Sequence, residues 1–287
     1  MHGYLKAVGL GAYDTRRAYA SLIEKVTENP DVTSIVQTGQ DSHVAVLFSL
    51  MTEASGLAVC GEYEEDEHFR TDFAFPFVRA DAVSSTAPCS VQRRTGGDGY
   101  EGLCDDYRIG MPLIFHLNNF ARLLQTGRNP EDITSVSFSG LASDGKILLP
   151  TFDTADREKT KVRAEERTRQ IEQAMGGDQQ AMERLSFQEM NLFATVNSRL
   201  QKEDLYSVIE SFFMPSGMET DQYALMGEIT ACTPWENRMT GAKGWFLEVT
   251  AADIPVRVSI AADNLQGDPA PGRRFKGDLW LQGTVEC

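Results

Sequence analysis

Long apolar runs, paired cysteine motifs and an excess of positive charge are all missing from this sequence, and each absence removes a class of protein. No segment approaches the ~18 uninterrupted apolar residues of a membrane-spanning helix. The opening MHGYLKAVGLGAYDTRR lacks a basic n-region followed by an apolar stretch, so no secretory signal is expected and the chain is placed in the cytoplasm. Cys60, Cys89, Cys104, Cys232 and Cys287 are odd in number, widely spaced and free of any C-x-x-C pair, which speaks against zinc and thioredoxin-like chemistry. Reduced thiols are the simplest expectation. None of the 4 histidines lies four residues from another, so the helical zinc motif is absent, and no metal or cofactor is expected. With 27 Lys+Arg against 42 Asp+Glu, the net charge of −15 sets up a field that repels polyanions, which disfavours nucleic acid and anionic membrane as partners.

What is present is an ordinary globular composition: 41% hydrophobic and 24% charged over 287 residues, enough for two packed domains or one domain with an insertion. Residues 4–10 read as a short strand. Asp14 or Thr15 then caps a helix carrying Tyr19, Leu22, Ile23 and Val26 on one face, ended by Asn29-Pro30. Residues 43–51 and 57–63 are β-rich and joined by a short Gly-containing link, the pattern of a hairpin. Residues 69–78 alternate aromatics around Pro76, as an edge strand does. Further strands are expected over 108–117 and 133–138, with Ser143-Asp144-Gly145 as a turn into 146–149.

From residue 154 to Met214 proline disappears and good helix formers take over, split by Gly176-Gly177. Met182, Leu185, Leu192, Val196 and Leu200 share a face, and Leu205, Val208, Ile209, Phe212 and Phe213 repeat the pattern. From Tyr223 onward, short strands punctuated by Gly241, Gly244, Gly267, Gly272 and Gly277 suit a small barrel of the oligonucleotide/oligosaccharide-binding (OB) type. The expected class is therefore α+β: a mixed sheet domain with packed helices over residues 1–150, a helical segment packing on it over 151–217, and an OB-like β-barrel over 218–287.

Four stretches carry candidate chemistry. In 272–283, Arg273, Arg274 and Lys276 with Trp280 are the candidate ligand-binding set, three cations and an indole able to grip a phosphate and stack a base. Against this stands ordinary packing, with Phe275, Leu279 and Leu281 facing a core and the cations outside. Cys104 is a weak candidate nucleophile, because Asp105 and Asp106 beside it push a thiol pKa upward. The acidic run 62–67 lacks the alternating ligands and glycine of a calcium loop and reads as a solvated loop. The mixed-charge helix start at 157–169 reads as solvated surface.

Residues 1–9, 100–105, 110–118, 145–150, 203–227 and 272–283 together resemble one bacterial family, domain-of-unknown-function family 3881 of Gram-positive bacteria. Gly272-Arg273-Arg274-Phe275-Lys276-Gly277 with Trp280-Leu281-Gln282-Gly283, and Phe213-Met214-Pro215 ahead of Asp221-Gln222-Tyr223, carry the resemblance most specifically. It spans the chain, implies a cytosolic location and a single stable architecture, and brings no catalytic residues with it. Three functions follow in order: a non-catalytic binding or regulatory protein recognising a protein or small ligand, a single-stranded nucleic-acid binder using the C-terminal module, and a thiol-dependent enzyme using Cys104.

Overall fold

The computed structural model describes residues 3–37, 43–64, 68–94, 99–126, 132–150, 209–218 and 220–287, with isolated positions between 166 and 182. The helices expected over 154–214 lie largely outside these residues.

The chain opens on two 3-10 turns, Leu5–Val8 and Gly11–Tyr13, where a strand was expected. The correction has a simple cause. Ser259 Oγ donates to the Ala7 carbonyl (2.7 Å), Asn237 Nδ2 to Val8 (2.7 Å) and Thr240 Oγ1 to Gly9 (2.7 Å), so side chains satisfy this backbone without a ladder. Leu5, Ala7, Val8 and Leu10 are all buried. Helix α1 (Arg16–Glu28) follows, its first turn capped by Thr15 Oγ1 accepting from Ala18 N at 3.2 Å, with Leu22 and Val26 on its buried face.

Strands β1 (Val32–Gln37), β2 (His43–Leu50), β3 (Ser55–Tyr63) and β4 (Phe69–Val78) form an antiparallel sheet in that order. The β2–β3 hairpin and the edge position of β4, where Pro76 withholds no interior hydrogen bond, match the pattern of the sequence.

The second sheet begins with the antiparallel meander β5 (Cys89–Arg93), β6 (Tyr100–Cys104) and β7 (Leu113–Leu117), followed by α2 (Phe120–Thr126). The strand expected from residue 108 starts only at Leu113, because Arg108 is drawn into an ion pair with Asp106. Next come β8 (Ser135–Leu148), β9 (Phe212–Pro215), β10 (Gln222–Glu236), β11 (Lys243–Ala251), β12 (Ile254–Ala261), the two-residue β13 (Leu265–Gln266) and β14 (Arg274–Glu286). Phe212 and Phe213, expected on a helix, are strand residues: Phe213 pairs with Leu225, and its ring meets Tyr223 edge-on at 5.2 Å.

Five strands close a barrel. β10, β11 and β12 form a meander, β14 lies beside β10, and β8 closes the circle, antiparallel to β14 and parallel to β12. The described residues are thus mostly β. The barrel is not confined to 218–287, since β8 (Ser135–Leu148) precedes residue 151. Local turn chemistry hid this strand. Ser143 is the extra residue of a β-bulge, the register passing from Asp144↔Asp278 to Ala142↔Leu279. Gly145 and Gly277 face each other beyond it, and the Phe275 ring fills the space of their missing side chains: a Cβ on Gly145 would stand 2.4 Å from it. A fragment of residues 218–287 is therefore expected to remain unfolded, with random-coil circular dichroism, whereas joining residues 133–150 to it restores a cooperative melt. A cooperative transition in the shorter fragment would refute the requirement for β8.

The two sheets are stitched by side chains. Gln282 accepts from Val78 N (3.1 Å) and Asn118 Nδ2 (3.3 Å) and donates to the Pro76 carbonyl (2.8 Å), while Ser139 Oγ donates to the Val78 carbonyl (2.8 Å). Arg257 joins Glu248 at 2.5 Å and Asp81 at 2.7 Å. Among the described residues no helix is long and apolar enough to cross a membrane.

Candidate functional site

The densest convergence of chemically capable side chains lies where β4 crosses β7 and β14. Along β14 the odd residues Phe275, Leu279 and Leu281 point into the barrel and are fully buried. Arg274, Lys276, Asp278, Trp280 and Gln282 fall on the outer wall. Trp280 is nonetheless only 4% exposed, because Tyr4 stacks on it at 5.9 Å and His116 packs at 4.8 Å. From His116 a train of rings runs through Phe75 (4.4 Å), Phe73 (6.2 Å) and Phe120 (6.5 Å) to Tyr100 (5.0 Å). The band joins both sheets and α2, and such ring pairs contribute about 0.5–1.5 kcal/mol each beyond their area.

At one end of this band is a buried acid. Trp280 Nε1 donates to Asp221 Oδ2 at 2.7 Å, and Arg94 Nη1 reaches the same oxygen at 3.4 Å. Asp221 Oδ2 thus receives an indole N–H and a guanidinium together. Burial first, then the charges of Asp221 and Asp278, push the Tyr4 hydroxyl above its ordinary pKa.

The expected ligand-binding residues are dispersed among other tasks. Arg273 Nη1 donates to the Asp268 carbonyl at 2.6 Å. Arg274 is buried and donates from Nε to Leu149 O (3.1 Å) and from Nη1 to Ile209 O (2.7 Å), with burial lowering its pKa. Lys276 stands opposite Lys146 while Asp278 stands opposite Asp144, so cations and acids interleave on the wall. Trp280 is the one member of that set in the aromatic band.

Cys104 sits in a second cluster. Ser85 Oγ donates to Asp106 Oδ2 at 2.5 Å, Arg108 grips Asp106 through Nε (2.9 Å) and Nη2 (2.6 Å), and Cys104 Sγ lies 3.7 Å from Ser85 Oγ. Burial opposes the Asp106 carboxylate, but the Arg108 fork and Ser85 overcome it and hold its pKa below the ordinary value. This corrects the expected electrostatics of the thiol. Asp106 does raise the Cys104 pKa as expected, and burial adds to it, but the neighbouring Cys89 thiol first and Ser85 next outweigh them and leave the Cys104 pKa lowered, while that of Cys89 is pushed up. His116 does not join this thiol. It pairs with Glu101, an odd number of positions from Cys104 on β6, so the two side chains leave opposite faces of the sheet.

Sequence reasoning missed Tyr4, Arg94 and Asp221, and weighed His116 only as a partner that folding could bring to Cys104. They come from four distant places, and no spacing rule unites them. A tyrosine among apolar residues, or an Asp before a strand, carries no local sign of its partner.

Of the acids 62–67, Glu62 and Glu64 pair with Arg70 at 3.1 Å and 3.6 Å on the surface. Among the described residues no group of three His, Cys, Asp or Glu side chains is placed to hold a metal ion.

No curated protein and no solved structure matches the chain. One family model does, over residues 5–283, described as "Domain of unknown function, E. rectale Gene description". The stretches that suggested this family include Gln282, here seen to bind the barrel wall to the N-terminal sheet, and with nearly the whole chain matched the protein belongs to family DUF3881.

Proposed function

We propose that this chain is a non-catalytic cytoplasmic binding protein that captures an extended protein segment along β5. The observation that carries this reading is the hydrogen-bond phase of β5. Asp105 N bonds to Pro88 O (3.1 Å) and Arg94 N to Gly99 O (3.1 Å), which makes Cys89, Val91 and Arg93 members of non-hydrogen-bonded pairs with β6. Their backbone N–H and C=O groups point away from β6. Among the described residues β5 ends the sheet, so these groups form an open edge of the kind that accepts an added strand. Ser90, Gln92 and Arg93 are exposed along it, and Arg93 gives a cationic edge to an acidic protein.

The test is selection of extended peptides from a random-sequence phage library, followed by amide hydrogen exchange. Bound peptides are expected to protect the amides of Cys89, Val91 and Arg93, and Val91→Pro, which removes an outward N–H, to abolish binding with little change in melting temperature. Peptides that bind the Val91→Pro variant unchanged would overturn the reading.

Single-stranded nucleic acid remains the weaker reading. Three phosphate contacts give a salt slope of only about −2, at roughly −0.7 per contact, and stacking adds ~1–3 kcal/mol per base, against about 8 kcal/mol for micromolar binding. With Arg274 held by backbone carbonyls and Trp280 covered, both terms shrink further. Fluorescence anisotropy with mixed-sequence oligonucleotides is expected to find no binding tighter than about ten micromolar near physiological salt. Tighter binding lost in Arg274→Glu would reverse the ranking.

A further inference from the structure

Cys89 and Cys104 are direct partners in the antiparallel register of β5 and β6, and no other two cysteines are paired across the described strands. The Asp105 N to Pro88 O bond joins the residue after Cys104 to the one before Cys89. This phase makes the cysteines a non-hydrogen-bonded pair, the class with Cα atoms about 4.5 Å apart and side chains closest together. Disulfides form at Cα separations of about 4.4–6.8 Å. Cysteines paired in this way can be bridged without a backbone rearrangement. Both are free thiols here, Cys104 buried and Cys89 half-buried on the outermost strand.

We propose that Cys89 and Cys104 form a redox site, a dithiol that closes reversibly to an intramolecular cross-strand disulfide by exchange with a low-molecular-weight disulfide. The pair loses one proton, most readily from Cys104; transfer of the Cys89 proton to the Cys104 sulfur then leaves Cys89, the more accessible of the two, as the thiolate that attacks one sulfur of the incoming disulfide. A mixed disulfide forms at Cys89 and one small thiolate leaves. Cys104 then gives up its proton and attacks the Cys89 sulfur, expelling the second small thiolate. Two protein thiols and one small disulfide become one protein disulfide and two small thiols, with two electrons passing from protein to oxidant. The spacing usual for this class of pair falls at the short end of the disulfide range, which strains the product and keeps it open to reduction.

The site is tested on the full chain with oxidised glutathione as the probe, by alkylation and peptide mass mapping. Two of the five thiols are expected to disappear, with the Cys89 peptide linked to the Cys104 peptide and both recovered after dithiothreitol. Cys104→Ala, which removes the resolving thiol, is expected to accumulate the glutathione adduct on Cys89 instead. The wild-type measurement needs no variant to fold. Retention of all thiols, a stable glutathione adduct on wild-type Cys89, or a linkage to Cys60, Cys232 or Cys287 would each overturn the proposal.

Discussion

Replacing Arg108 by alanine is expected to cost about 3 kcal/mol of folding stability at neutral pH, at the lower end of the range for breaking a buried pair because the guanidinium partly reaches solvent. The loss has two parts. Asp106 is left as a buried charge with only Ser85 and the Arg108 backbone N–H to support it, and the Ser84 and Asp253 carbonyls lose the donors that tie residues 84–85 to the barrel. At roughly 2–4 °C per kcal/mol for a chain approaching this size, melting falls by about 6–12 °C.

The pH dependence separates charge from packing. The folded pKa of Asp106 lies below the unfolded value of about 3.9, so its ionic stabilisation is fully present above that pH and is lost as pH falls through the folded value. Without Arg108 the carboxyl is raised by burial, and protonation then relieves the variant while it penalises the wild type. The gap between the two is thus expected to narrow below about pH 4. Adding Asp106→Asn should recover part of the deficit at pH 7, because it removes the unpaired charge. A gap equal at pH 3 and pH 7, measured by urea titration, would show that the guanidinium acts through packing alone.

Where one stretch of chain decided the outcome, the sequence was readable. Thr15 caps α1, Leu22 and Val26 fall on its buried face, and Pro76 marks an edge strand. Where a distant partner decided it, local signals pointed elsewhere. Ser143-Asp144-Gly145 has the chemistry of a turn, yet β14 lies alongside and converts it to a bulge within one long strand. Residues 4–10 have the apolar content of a strand, yet Ser259, Asn237 and Thr240 cap their carbonyls from the barrel. The same asymmetry governs the site. Cys104 and Trp280 stand out by type, but the register that sets Cys104 against Cys89, and the folding of Tyr4 and His116 over the indole, are properties of the pairing between strands. A charged and aromatic strand such as 274–280 advertises a binding face equally well whether it meets solvent or another sheet.

Trp280 makes that difference measurable. As an exposed stacking platform it would tolerate truncation with a melting temperature shifted little, since surface substitutions usually stay within about 0.5 kcal/mol. As the ring wedged between Tyr4 and His116, and the donor to Asp221, its replacement by alanine is expected to cost about 3–5 kcal/mol. Trp280→Phe keeps most of the ring area and deletes the indole N–H, so its cost is that of one hydrogen bond to a charged acceptor, about 2 kcal/mol, with Arg94 still holding Asp221. The difference between the two variants, about 1–3 kcal/mol, then reports the packing of the aromatic band. Converted at ~2–4 °C per kcal/mol, the melt falls by about 4–8 °C for phenylalanine and about 6–20 °C for alanine. An alanine variant melting with the wild type would show that the indole faces solvent, and would return Trp280 to the list of residues free to meet a ligand.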